Sequence, residues 1–286
     1  MKEFNLAIIG LGNIGLEVYK NIKKNASDIK KKTGFKLNIS QVCAKDIKKN
    51  RGVKFSKNIF EKNIFKIINN PGIDIIVELI GGSEGVAKKV VFESIKKNKH
   101  VVTANKSLIS KHGDALSILA EKHGVNLLFE AAVGGGIPII RSIKQGLIAN
   151  RLSHIYGILN GTTNFILTEM EKRNESFQTI LKDAQKLGYA ESNPTADVDG
   201  FDAADKISIL SSIGFGSKII NKGFLVEGIR NIELEDIKFA KSLGYKIKLL
   251  AIAEKISNKV KQRVQPCLIQ NDIEVANIDE DIKDAI

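Results

Sequence analysis

The sequence has few of the features that would set it apart from ordinary globular proteins. It carries two cysteines in 286 residues. Cys43 and Cys267 stand far apart, outside any CxxC or Cys/His ligand spacing, so neither a disulfide framework nor a clustered metal site is expected, and both read as small buried hydrophobes. No apolar run approaches the ~18 residues of a membrane helix, so no membrane partner is expected. The opening residues Met1 to Gly15 have no basic start, long apolar stretch and small-residue cleavage site in succession. They read as a mature strand, and the expected compartment is the cytoplasm. Internal repeats and low-complexity linkers are also missing.

Acidic residues are the minority: Lys and Arg number 44 against 32 Asp and Glu, a formal charge of +12. Such a balance can serve nucleic-acid binding, because a basic face neutralises phosphates. Here the lysines are scattered over the polar sides of almost every helical segment, without interleaved aromatics or a reader motif. A solvated lysine-rich surface is expected, and no nucleic-acid partner.

What the chain does contain is regular alternation. A length of 286 residues favours two domains over one. From Leu6 to Ala131, short apolar runs alternate with longer amphipathic ones, the pattern of a parallel sheet covered by helices. Strands are predicted at Leu6 to Ile9, Leu37 to Ala44, Ile73 to Ile80, His100 to Ala104 and Val125 to Ala131. The third run is nearly all apolar and broken only by Glu78, as expected of a strand covered on both faces. Past Gly134 the pattern becomes mixed. A helix is predicted near Pro138, a strand at Leu152 to Leu159, helices at Asn164 to Lys172 and Phe177 to Leu187, and paired strands at Lys246 to Glu254 and Lys259 to Ile269. The expected fold class is α/β: an N-terminal Rossmann-type dinucleotide-binding domain over residues 1–133, and an α+β domain over 134–286. Gly134, Gly135 and Gly136 form the natural hinge.

Five constellations could carry chemistry. Gly10-Leu11-Gly12-Asn13-Ile14-Gly15 is a GxGxxG between a strand and a helix, where backbone can approach a pyrophosphate and the helix N-terminus supplies N–H donors. The second strand ends at Cys43-Ala44-Lys45-Asp46. Lys45, with Lys48, Lys49 and Arg51 behind it, favours NADP through its 2′-phosphate, while Asp46 keeps NAD open. A strand ending Thr103-Ala104-Asn105-Lys106 delivers Lys106 to the sheet edge where ligands of open α/β sheets bind. Its bland alternative is a solvated loop lysine. Phe129 to Pro138, with no side-chain bulk over Gly134 to Gly136, serves either as a hinge or as a set of carbonyls around a hard cation, with Glu130 adding a charged oxygen.

The densest signal is Leu187 to Lys206: a helix ending at Gly188, a carboxylate-rich loop, then a new helix from near Gly200 with Asp202 and Lys206 four apart on one face. Asp199 reads as a cap or dipole partner. Ala203, Ala204, Ile207 and Ile209 pack this helix on several sides, so the Asp202 and Lys206 pair is expected to be more than a solvated surface pair.

These motifs, with Leu159-Asn160-Gly161-Thr162-Thr163-Asn164, occur in the order and spacing of homoserine dehydrogenases, and the chain resembles that family from its first strand to about Ile269. The resemblance implies an NAD(P)-dependent oxidoreductase that interconverts L-homoserine and L-aspartate 4-semialdehyde in threonine, methionine and isoleucine biosynthesis, working as a homodimer. It implies Lys206 as proton donor and acceptor, Lys106 as a second lysine touching cofactor and substrate, and Asp202 and Glu191 at the substrate, Glu191 on its ammonium. Thr162 and Tyr189 would line the pocket. Gly10, Gly12, Asn13, Ile14, Gly15, Lys45 and Lys106 would bind the cofactor. Glu130 and the carbonyls of Val133, Gly135 and Ile137 would hold sodium or a similar monovalent cation. Members usually continue with a GxGAGxxPT stretch and a returning helix. Asp279 to Ile286 has no such glycines, so that closing segment is expected to be missing.

Two other classes compete. A phosphorylating aspartate-semialdehyde dehydrogenase needs a cysteine nucleophile beside a base, and neither Cys43 nor Cys267 is placed for it. A non-catalytic dinucleotide-binding or basic nucleic-acid-binding protein would keep the glycine loop and the charge without needing the constellation from Glu191 to Lys206.

Overall fold

The computed structural model describes residues 2–46, 48–56 and 58–278. Each apolar run predicted in the first half contains a strand. In chain order the elements are β1 (Glu3–Ile9), α1 (Asn13–Lys24), α2 (Ala26–Thr33), β2 (Lys36–Cys43), α3 (Ile64–Asn69), β3 (Ile75–Glu78), α4 (Val86–Lys96), β4 (His100–Thr103), α5 (Lys106–Lys122) and β5 (Leu127–Leu128). All pairings are parallel, in the order β2-β1-β3-β4-β5. This is a Rossmann-type sheet. Because both faces are covered, its strands bury consecutive residues such as Leu6, Ala7, Ile8 and Ile9. Leu6 and Ile8 join Leu11, Tyr19, Ile39, Val42 and Val77 in one core cluster. The strand order reverses between β1 and β3, and a crevice at such a reversal is where open α/β sheets bind ligands.

In this half the fifth strand departs from expectation. The fifth strand is two residues long, not seven: it pairs Leu127 and Leu128 with Val101 and Val102, and Glu130–Ala132 then coils into a 3-10 turn. Helix α2 carries no legible signal, because none of its residues is buried and no apolar stripe marks it.

The chain divides into the unit Met1–Ala132 and the unit Val133–Ile286. The second unit contains α6 (Ile139–Arg141), which continues as a π turn over Ser142–Gly146, then β6 (His154–Gly157), α7 (Gly161–Arg173), α8 (Phe177–Leu187), α9 (Thr195–Val198), α10 (Phe201–Phe215), β7 (Leu225–Val226), α11 (Leu234–Ser242), β8 (Tyr245–Ile256) and β9 (Lys259–Gln270). Strands β8 and β9 form a long antiparallel hairpin, flanked by β6 antiparallel to β8 and β7 parallel to β9. Along β9, Gln262 and Val264 face inward. Gln262 donates to Ser211 of α10, so this helix meets the sheet through a polar contact as well as an apolar one. Helix α11 leaves a weak sequence pattern because Ile237 and Ala240 are buried while Phe239 and Leu243 stay exposed, which blurs its stripe. Cys43 is buried as expected, whereas Cys267 is only half-buried.

Candidate active site

In the first unit the strand ends build a cleft of ≈ 820 Å³, bordered by Gly10, Leu11 and Gly12 on one side and Lys45, Asp46 and Arg51 on another. Crowding explains two of the glycines. A Cβ at Gly10 would lie 2.4 Å from the Leu79 carbonyl oxygen, and one at Gly15 would lie 1.9 Å from the Gly10 carbonyl oxygen. Gly12 differs, since a Cβ there would meet nothing within 4 Å. Gly12 also caps α1 without any side-chain hydrogen bond. The first turn, with Asn13, Ile14 and Gly15, therefore begins beside open space with no side chain competing for its N–H groups, as a pyrophosphate requires.

The basic end of β2 also belongs to this cleft: Lys45, Lys48, Lys49 and Arg51 line it, together with Lys62. Arg51 is fixed by the carbonyls of Leu11 (3.2 Å) and Asp46 (2.7 Å), which ties the glycine loop to the loop after β2. Lys62 gave no signal in the sequence because it stands 19 residues past Cys43, to which its carbonyl is joined by a thiol contact of 3.7 Å. Burial, with Glu61 nearby, pushes the Cys43 thiol above its usual range, and burial does the same to Cys267. Neither is poised as a thiolate nucleophile. Lys106 is the first residue of α5, whose cap is the Asn105 side chain accepting from the Leu108 N–H at 3.1 Å.

The second unit assembles side chains from three segments. Lys206 and Asp202 meet at 3.0 Å, with side-chain exposures of only 14% and 6%, so this pair is interior as expected. Lys206 also donates to the Leu159 carbonyl. Buried Asn160 donates through Nδ2 to Asp197 at 2.7 Å and to Asp202 at 3.0 Å. Its Oδ1 meanwhile caps α7 by accepting from the Thr163 N–H. One amide thus uses both of its protons to hold two carboxylates together and orient Asp202 toward the lysine. Sequence reasoning missed Asn160 and Asp197 as site residues, although both lie inside the motifs named above. Asn160 stands 37 and 42 residues from the two carboxylates it bridges, beyond any local spacing rule.

Thr162 joins Tyr189 by donating to its carbonyl at 2.8 Å, and the Tyr189 ring packs edge-on against Phe165. Glu191 is exposed, and its backbone carbonyl accepts from Gln185. Asp199 does not cap α10, whose N-cap is Gly200 without a side-chain hydrogen bond; instead Arg230 binds it through two nitrogens, at 2.8 and 3.0 Å. Of the residues read as a cation site, Glu130 is half-buried in its 3-10 turn, Val133 is buried, Gly135 is exposed and Ile137 is half-buried. The Ile137 carbonyl accepts from the Ile139 N–H at 2.8 Å.

Comparison with known proteins agrees with this division. Residues 138–283 match the homoserine dehydrogenase family model, and residues 10–130 match the NAD-binding domain of homoserine dehydrogenase. The chain is 42% identical over 279 residues to a homoserine dehydrogenase of Neisseria gonorrhoeae, covering 98% of this chain and 64% of that protein. It is 40% identical to that of Bacillus subtilis, covering 94% of this chain and 62% of the relative. A crystal structure of a homoserine dehydrogenase from Thiobacillus denitrificans superimposes with a TM-score of 0.93 at 41% identity, covering 98% of this chain and 64% of that one. The chain thus spans under two thirds of the length of these relatives. With both halves matched in order, the chain belongs to the homoserine dehydrogenase family.

Proposed function

We propose that the chain interconverts L-homoserine and L-aspartate 4-semialdehyde with a nicotinamide dinucleotide, a step of threonine, methionine and isoleucine biosynthesis. The observation that carries this reading is the interior Lys206–Asp202 pair, held by Asn160, which also binds Asp197. Hydride exchange at the substrate carbon is the chemistry the nicotinamide supplies when bound. Lys206 stabilises negative charge on the aldehyde oxygen and gives it a proton, or removes that proton in the reverse direction. Asp202 orients Lys206 and faces the substrate. Glu191 holds the substrate ammonium by charge, and Thr162 and Tyr189 line the pocket. Lys106 contacts cofactor and substrate.

The uncrowded Gly12, the uncapped start of α1 and the lysines at the cleft support a dinucleotide, and Lys45 supports NADP over NAD. A monovalent cation, sodium by the family resemblance, would take Glu130 and the carbonyls of Val133, Gly135 and Ile137. The N–H contact at Ile137 leaves that carbonyl a second lone pair. A homodimer in the cytoplasm completes the reading. No helix among the described residues is long and apolar enough to cross a membrane. The test is turnover with L-homoserine and each oxidised cofactor, followed at the reduced nicotinamide absorbance. Cofactor binding without turnover would instead favour a non-catalytic dinucleotide-binding protein.

A further inference from the structure

Glu78, the one interruption in the apolar third strand, is fully buried at the C-terminal end of β3. A carboxylate out of water is costly unless its oxygens are hydrogen-bonded. Glu78 Oε1 accepts from the N–H groups of Ile80 (2.7 Å) and Gly81 (3.2 Å). Its Oε2 accepts from the Thr103 hydroxyl at 2.6 Å, at the end of β4. That hydroxyl in turn accepts from the Asn105 N–H at 3.0 Å. Asn105 Nδ2 donates back to the Gly82 carbonyl at 2.7 Å, while its Oδ1 caps α5. The result is a closed ring of hydrogen bonds joining the loop after β3 to the residue just before Lys106.

The direction of the protons explains the residue types. Thr103 already accepts from Asn105, so its own proton goes to Glu78, and Glu78 must accept on both oxygens. Glutamine has the same shape but only one acceptor oxygen. The loop so held is Gly81 and Gly82, with φ of 84° and 83°. No atom lies within 4 Å of where a Cβ would project at either glycine, so these glycines answer to backbone conformation and leave open space beside the loop. Ile80, which precedes them, lines the dinucleotide cleft.

We propose that Glu78, Thr103 and Asn105 are positioning residues for the reaction: their ring fixes the loop from Ile80 to Gly82 and the start of α5, and with them the cofactor wall and Lys106. This rests on the dinucleotide reading above. In Thr103→Val the shape is kept and the hydroxyl lost, and Glu78→Gln reverses one bond of the ring. Both are expected to lower kcat about 10- to 100-fold through misplaced groups. Both should also weaken NADPH, titrated by its own fluorescence, about three- to tenfold. Thr103→Ser should restore wild-type values. Asn105→Ser keeps a helix cap but cannot span to Gly82, so it tests the loop tie even if the Glu78 and Thr103 variants fold poorly. Failure of the wild-type chain to turn over homoserine would sink the proposed activity, and the NADPH titrations would still judge the ring. Variants that lose thermal stability alone, with kcat and NADPH affinity per folded molecule within about twofold of wild type, would overturn the positioning role.

Discussion

The two candidate sites are made of different material. In the first unit the glycine loop at the cleft is shaped by backbone: Gly10 and Gly15 are forced by contacts of 2.4 and 1.9 Å, and Gly12 by none. In the second unit the site is side chains, with Asn160, Asp197, Asp202 and Lys206 meeting across α7, α9 and α10. A backbone-built site tolerates almost any side chain between its glycines. A side-chain-built site fails when one partner is removed, because each group is oriented by the next.

Lys206→Ala should have the largest effect. Turnover is expected to fall by about two to four decades with loss of the proton-transfer group, while NADPH affinity stays near wild type because the glycine cleft is untouched. Near-wild-type turnover in a folded protein would break the assignment. The companion change Asn160→Ser keeps a cap for α7 but drops both carboxylate contacts, and should cost about 10- to 100-fold in kcat through a misaligned Asp202.

Next in size is a contrast within the glycine loop. Gly15→Ala drives a Cβ into the Gly10 carbonyl and should destabilise the protein by about 1–3 kcal/mol, read as a lowered Tm. Gly12→Ala meets nothing, so Tm should hold while NADPH affinity falls about tenfold, as the methyl occupies the anion's place. Equal Tm losses in the two variants would show that Gly12 is also structural.

Lys45→Ala is a smaller test. The ratio of NADPH to NADH affinity should fall about three- to tenfold, since only NADPH carries the 2′-phosphate. Parallel losses for both cofactors would assign Lys45 to the general field of the cleft. The smallest effect concerns the cysteines. Burial pushes both thiols above their usual range, so at pH 8 native protein should alkylate more slowly than a free cysteine and keep its turnover, with labelling accelerating as pH climbs past the usual thiol range. Rapid inactivation by a thiol reagent at pH 8 would reopen the cysteine-nucleophile class.

Legibility followed the range of the interactions. Strands β1 and β3 were readable because their apolar runs are nearly continuous and buried, and the pairing of Asp202 with Lys206 was readable because it is one helical turn long. Helix α2 was not, having no buried face, and β7, two residues long, was too short to leave a pattern. Asp199 reads locally as a cap, and its bond to Arg230 lies 31 residues away.

Local spacing was enough to establish the parallel α/β order of the first half, the glycine loop at its first turn and the acidic helix start that carries Lys206, because each is written in intervals of a few residues. Folding was needed to reveal that Asn160 bridges Asp197 and Asp202, and that Glu78 is a buried acceptor for Thr103 rather than a flaw in a strand. A buried polar group is set by the donors that folding brings to it, and in both cases those donors or acceptors come from other elements of the fold.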